Sequence, residues 1–153
     1  FKSLNINILW MGDMNNVCFS LVEAANLIND LKLYICCPKN ISESKNWNIS
    51  PNIIIKDKLS EINLSEINCV MTDVFISMND ENNTQKINSL KEYQVNQNLM
   101  TKTHKNSVFM HCLPANVGHE VSEDVFNSQK SIVWTQAYNR LVAQKILLQL
   151  IYQ

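Results

Sequence analysis

Short runs of β-branched and apolar residues alternate along the chain with segments whose apolar positions recur at helical spacing. Few folds accommodate that order. Strand candidates fall at residues 6–11, 33–37, 53–55, 69–72, 108–112 and 132–134. Between the first two, Val17, Leu21, Ala24, Ala25 and Ile28 predict a helix over residues 15–29. Ile87 and Leu90, then Val95 and Leu99, predict two further helices. Ala137, Leu141, Ala143, Leu147, Leu148 and Ile151 predict a closing helix over residues 136–152. The segment 58–66 fits neither pattern. Strands that are apolar almost throughout and alternate with helices predict an α/β domain built on a doubly wound parallel sheet covered on both faces.

Composition narrows what such a domain could do. With 153 residues and no internal repeat or linker, the chain predicts one domain with one sizeable core. Its 13 basic and 14 acidic side chains leave a formal charge of -1 and no basic run, which argues against nucleic acid or an anionic membrane as partner. No apolar stretch reaches the length of a spanning helix. Only two glycines are present, so neither a G-x-G-x-x-G dinucleotide loop nor a phosphate-binding P-loop can be built. The five cysteines form no metal-ligand spacing and are odd in number, which predicts reduced thiols in a reducing compartment and neither a zinc site nor a disulfide framework. Asn and Ile are abundant and Arg140 is the only arginine beside twelve lysines, a usage read as codon bias. Under that bias a lone guanidinium stands out, because lysine lacks its planar, bidentate fork. The chain opens at Phe1 and already reads as a strand a few residues later, as expected of a piece of something longer.

In an open parallel sheet, ligands bind beyond the carboxyl ends of the strands. Four polar turns are predicted there. The first strand exits into Gly12-Asp13-Met14-Asn15-Asn16, and the fourth into Asp73-Val74-Phe75-Ile76-Ser77-Met78-Asn79. The fifth ends at His111-Cys112-Leu113-Pro114, and Asn139-Arg140 follows the sixth. Each has a plain structural alternative: Asn16 as a helix N-cap, Asp73 as a turn cap, Met78 as core filler. His111 and Cys112 could form a nucleophilic pair, but neighbours on a strand point to opposite faces. His104 and His119 read as loop or surface residues. Together the rim offers a carboxylate, a carboxamide, a hydroxyl, a thiol and one arginine. That set suits a zwitterionic amino acid, with Asp73 and Ser77 for its ammonium, Asn16 for its carboxylate, and Arg140 for a second, anionic reactant.

W-M-G-D-M-N-N (10–16), D-V-F-I-S-M (73–78), H-C-L-P (111–114) and N-R-L-V-A-Q-K (139–145) resemble, in order and separation, the second half of ornithine carbamoyltransferases. The resemblance covers essentially the whole chain. It implies a Rossmann-like ornithine-binding domain over residues 1–153. It also implies transfer of the carbamoyl group of carbamoyl phosphate to the δ-amine of L-ornithine, giving citrulline and phosphate, with no cofactor and no metal. Carried over residue by residue, Asn16 and the backbone amide of Met78 would hold the α-carboxylate, and Asp73 with Ser77 the α-ammonium. Cys112 and the carbonyl of Leu113 would stand beside the attacking amine, and Arg140 would reach the carbamoyl oxygen.

Two positions depart from the family pattern: Asn79 stands where Gly follows the S-M pair, and Tyr138 where a glutamate precedes Asn139-Arg140. Asn is, after Gly, the residue that best tolerates a left-handed backbone. The family's carbamoyl phosphate motif, S-T-R-T-R, belongs to an N-terminal half that this chain lacks. The resemblance further implies a cytoplasmic homotrimer for the intact enzyme, an inactive isolated fragment, and a closing helix left apolar where the other half would cover it. The alternative is a non-catalytic amino-acid-binding module on the same fold.

Overall fold

A computed structural model describes residues 5–76 and 84–152. Five strands, β1 (Ile6–Met11), β2 (Leu31–Cys36), β3 (Ile53–Lys56), β4 (Cys69–Thr72) and β5 (Val108–His111), form one sheet in the order β3-β2-β1-β4-β5. All four pairings are parallel. The α/β, doubly wound reading therefore holds. The chain winds outward from β1 through β2 to β3, then crosses to the other side of β1 for β4 and β5. That reversal makes the carboxyl ends of β1 and β4 the topological switch point.

Helix α1 (Asn16–Leu27) buries Cys18, Val22 and Ala25 against one face of the sheet, together with Trp10, Leu33 and Ile35. Helix α3 (Thr84–Leu90) adds Leu90 to the same core. The opposite core gathers Leu9, Val70 and Phe109 with Leu99 and Met100 of α4 (Gln97–Lys102), Val125 of α5 (Glu123–Phe126) and Val133 of α6 (Val133–Ile151). A single helical turn, α2 (Lys39–Ser42), follows β2, and two 3₁₀ turns occupy the segment 58–66.

The expected sixth strand at 132–134 is absent: Val133 already opens α6, three residues earlier than the helical spacing predicts. A three-residue apolar run cannot distinguish a strand from a first helical turn. What remains of strand character is one parallel bridge at Ser131, where the Phe109 amide donates to the Lys130 carbonyl at 2.8 Å and the Ile132 amide to the Phe109 carbonyl at 3.0 Å. This bridge covers part of the outer edge of β5 and sets where α6 begins.

Gly12 ends β1 with φ +104, and a Cβ there would lie 2.6 Å from the Phe75 ring. Both the left-handed backbone and the close approach of Phe75 require glycine. Gly12→Ala is expected to cost about 2 kcal/mol or more, read as a lower urea midpoint with unchanged m.

Helix α6 is unlike the others. Only its first residue, Val133, is buried, while Trp134, Tyr138, Leu141, Leu147, Leu148, Leu150 and Ile151 are each more than half exposed. Apolar side chains exposed all around a helix on this scale mark an interaction surface. No helix among the described residues is long and apolar enough to cross a membrane.

Candidate functional site

The turn after β1 is built tightly. The buried Trp10 indole donates to the Asp13 carbonyl at 2.9 Å, the Gly12 amide to the Cys36 carbonyl at 3.0 Å, and the Thr72 hydroxyl to the Met11 carbonyl at 2.7 Å. These bonds tie the ends of β1, β2 and β4 together, so the rim that follows them is pinned by one backbone bond and two side-chain bonds.

Asn15, and not Asn16, caps α1: its Oδ1 accepts from the amides of Val17 at 3.0 Å and Cys18 at 3.2 Å. That corrects the N-cap alternative for Asn16, because the residue whose side chain reaches the orphan amides is the one just outside the first turn. Asn16 is the first helical residue, exposed, with its side chain at the rim. The Asn15 Nδ2 donates across the switch point to Asp73 Oδ2 at 2.7 Å. The other Asp73 oxygen accepts the Cys112 thiol at 3.0 Å. One carboxylate thus bridges the ends of three strands.

Burial, then the hydrogen bond and negative charge of Asp73, push the Cys112 thiol up to about 12, against a partial opposing pull from Arg140. At neutral pH Cys112 is a protonated donor and no thiolate nucleophile. His111 has other partners. It is fully buried, its Nδ1 accepts from the Leu113 amide at 2.9 Å, and its Nε2 lies 3.3 Å from Oε1 of the equally buried Glu120. The two neighbours make no nucleophilic pair because the thiol is bonded to Asp73 and Nδ1 to the Leu113 amide, and not because they point apart as the strand rule predicts. Asp73, His111 and Cys112 have ligand-type atoms within 4.8 Å of one another. Yet the Nδ1 lone pair is spent on Leu113 and the ring proton then sits on Nε2, so the imidazole offers a cation nothing in this arrangement.

Two cavities flank the Asp73–Cys112 bond. One, of about 420 Å³, is polar and lined by Asp13, Asn15, Asn16, Lys45, Asp73 and Lys86. Within it Lys86 pairs with the nearly buried Asp13 at 2.9 Å. The other, of about 640 Å³, is mostly apolar and lined by Cys112, Leu113, Phe126, Trp134 and Arg140 among others. Leu113 holds φ +59, a left-handed backbone in a non-glycine residue, and its bond to Pro114 is cis. Arg140 is exposed, in the second turn of α6.

The rim expected from the sequence is thus largely assembled. Asn16 and Asp73 share one cavity, Cys112, Leu113 and Arg140 share the other, and the Asp73–Cys112 bond joins them. Ser77, Met78 and Asn79 lie outside the described residues. Sequence reasoning missed Asn15 as the cap, the Asp13–Lys86 pair, and Glu120. The Asn15-Asn16 doublet beside a helix start carried a usable signal for the first. Glu120, one acidic residue in a polar turn, carried none.

A family model described as "Aspartate/ornithine carbamoyltransferase, Asp/Orn binding domain" matches residues 4–151. The chain is similar to the ornithine carbamoyltransferase of Rhodopseudomonas palustris, 41% identical over 145 residues covering 92% of this chain and 46% of the relative. It is similar also to that of Brucella abortus, 42% identical over 144 residues, 91% and 46% respectively. Among solved structures, the ornithine carbamoyltransferase of Burkholderia thailandensis superimposes with a TM-score of 0.79 at 28% identity, over 95% of this chain and 47% of that one. The Thermus thermophilus enzyme gives 0.75 at 31% identity, over 95% and 48%. The chain spans about half the length of the curated relatives it matches.

Proposed function

The chain belongs to the aspartate/ornithine carbamoyltransferase family, matching its Asp/Orn binding domain, and from that premise we propose that it is the ornithine-binding half of an ornithine carbamoyltransferase. In the complete polypeptide a carbamoyl phosphate half would precede it, the assembly would be a cytoplasmic homotrimer, and the isolated domain would turn over nothing. The exposed apolar length of α6 supports this reading, since a second half offers the surface that would cover it.

The observation that carries the proposal is the Asp73 bridge. Its carboxylate is the anionic group at the switch point that would receive the α-ammonium of ornithine, with Ser77 beside it. Asn16 and the Met78 amide would hold the α-carboxylate. The same Asp73 fixes the Cys112 thiol. A neutral thiol next to the δ-amine can exchange hydrogen bonds with it without binding it as an ion, and only the unprotonated amine has the lone pair to attack. The nitrogen–carbon bond forms at the carbamoyl carbon, the bond from that carbon to the phosphate oxygen breaks, phosphate leaves, and the amine loses a proton. Arg140, sharing a cavity with Cys112 and Leu113, would stabilise charge on the carbamoyl oxygen, and Leu113 would accept from the reacting nitrogen through its carbonyl.

The test is calorimetric titration of L-ornithine into the full-length polypeptide, with and without carbamoyl phosphate, alongside an assay for citrulline. Binding that requires carbamoyl phosphate, with citrulline formed, is the expected result. Ornithine binding that is equally tight without carbamoyl phosphate, and yields no citrulline, would leave an amino-acid-binding module in its place.

A further inference from the structure

The His111–Glu120 pair is fully buried, and the chemistry outlined above does not use it. Glu120 Oε1 accepts the Asn116 amide at 2.5 Å and lies 3.3 Å from His111 Nε2 with no hydrogen bond between them, so His111 Nε2 and Glu120 Oε2 are both buried without a hydrogen-bond partner. An unpaired buried carboxylate oxygen costs more than an apolar side chain of the same size would. Stability alone therefore gives no reason for a glutamate here.

What the pair touches gives one. His111 Nδ1 takes the amide of Leu113 and Glu120 Oε1 takes the amide of Asn116, so the two side chains hold both ends of the turn 113–116. That turn contains the left-handed Leu113 and the cis bond to Pro114. The pair is itself anchored from outside. The Glu120 carbonyl accepts from the Val95 amide at 2.9 Å, and the His111 amide donates to the Gln136 side chain of α6 at 3.0 Å. A left-handed backbone at a leucine persists only where its surroundings impose it.

We propose that His111 and Glu120 are positioning residues, a buried clamp whose two backbone contacts set the Leu113–Asn116 turn and with it the Cys112 thiol and Leu113 carbonyl at the reacting carbamoyl group. The inference rests on the carbamoyl-transfer reading for its last step. The clamp acts on the strand end that carries the chemistry, whereas Asn16 and Asp73 stand on β1 and β4 exits that it does not touch. Its loss should therefore lower kcat and leave the ornithine KM nearly unchanged.

Four variants of the full-length polypeptide separate this from a purely structural role. In His111→Asn the amide oxygen stands near the lost Nδ1 and can still accept from Leu113, while in His111→Gln the side-chain nitrogen stands near Nε2 and that acceptor is gone. Glu120→Gln keeps the oxygen that holds Asn116, and Glu120→Ala removes it. His111→Gln and Glu120→Ala are expected to lose roughly tenfold to a hundredfold in kcat, with KM for ornithine within about twofold. His111→Asn and Glu120→Gln should each recover most of that loss at a comparable melting temperature. Undiminished kcat in His111→Gln and Glu120→Ala, or equal losses within each pair, overturns the clamp. Absence of citrulline from the unsubstituted protein counts against carbamoyl transfer instead. In that case, unchanged amide exchange at Leu113 and Asn116 in Glu120→Ala would overturn the clamp on its own.

Discussion

Asp73→Asn is expected to weaken ornithine binding by on the order of a hundredfold, about 3 kcal/mol, the cost of leaving a desolvated ammonium without its counter-charge. The same substitution has a signature that needs no substrate. Two of the three leading causes that hold the Cys112 thiol at about 12 are the hydrogen bond and the charge of Asp73, the first being burial. Removing that charge lets the thiol ionise at lower pH, so alkylation of Cys112 by iodoacetamide at a fixed, mildly alkaline pH speeds up. Affinity falls while thiol reactivity rises. A general loss of structure would expose every buried cysteine together, and mass spectrometry of the alkylated peptides distinguishes that from a change confined to Cys112. Asp73→Asn that binds ornithine normally in the presence of carbamoyl phosphate would remove the carboxylate from the ammonium site.

Periodicity made the sheet legible because parallel strands covered on both faces are apolar almost throughout. β1 falls at the expected residues, and the other four strands within two residues of them. It failed at 132–134, where three apolar residues are too few to carry a period. The rim was legible for a different reason. Fold rules place ligands after strand carboxyl ends, so Asp73 and Cys112 could be nominated without knowing that they touch. The contact itself depends on β4 and β5 being neighbours, with Thr72 in register with His111, which no local pattern encodes. Glu120 marks the limit. Its partner lies nine residues earlier across a turn closed by a left-handed leucine, and its value comes from the two backbone amides that it and His111 hold, not from its own neighbourhood in sequence.

Raising the pH should unfold this domain steeply, and the thiols set the window. Burial alone pushes Cys69 up to about 12, burial with nearby charges pushes Cys36 up to about 12 and Cys37 to about 11, and Cys18 is raised further still. All four are buried in the core. Well below the ordinary thiol value near 9 they are protonated in both folded and unfolded chains, and stability is unaffected. Above it the unfolded chain releases these protons while the folded chain retains them, so fewer are bound in the unfolded state and stability falls with pH. Each thiol contributes a slope of about 1.4 kcal/mol per pH unit until its folded value is reached. Four together amount to roughly 4 kcal/mol between pH 9 and 10, a large share of the whole stability of many domains of this size. Urea unfolding followed at pH 7.5, 9 and 10 should show a shallow fall in the first interval and a steeper one in the second. Cys69→Ala, whose only perturbation is burial, should flatten that fall by the share of one thiol, although the cavity it leaves lowers stability at every pH. A slope that the substitution leaves unchanged would assign the alkaline transition to groups other than the buried cysteines.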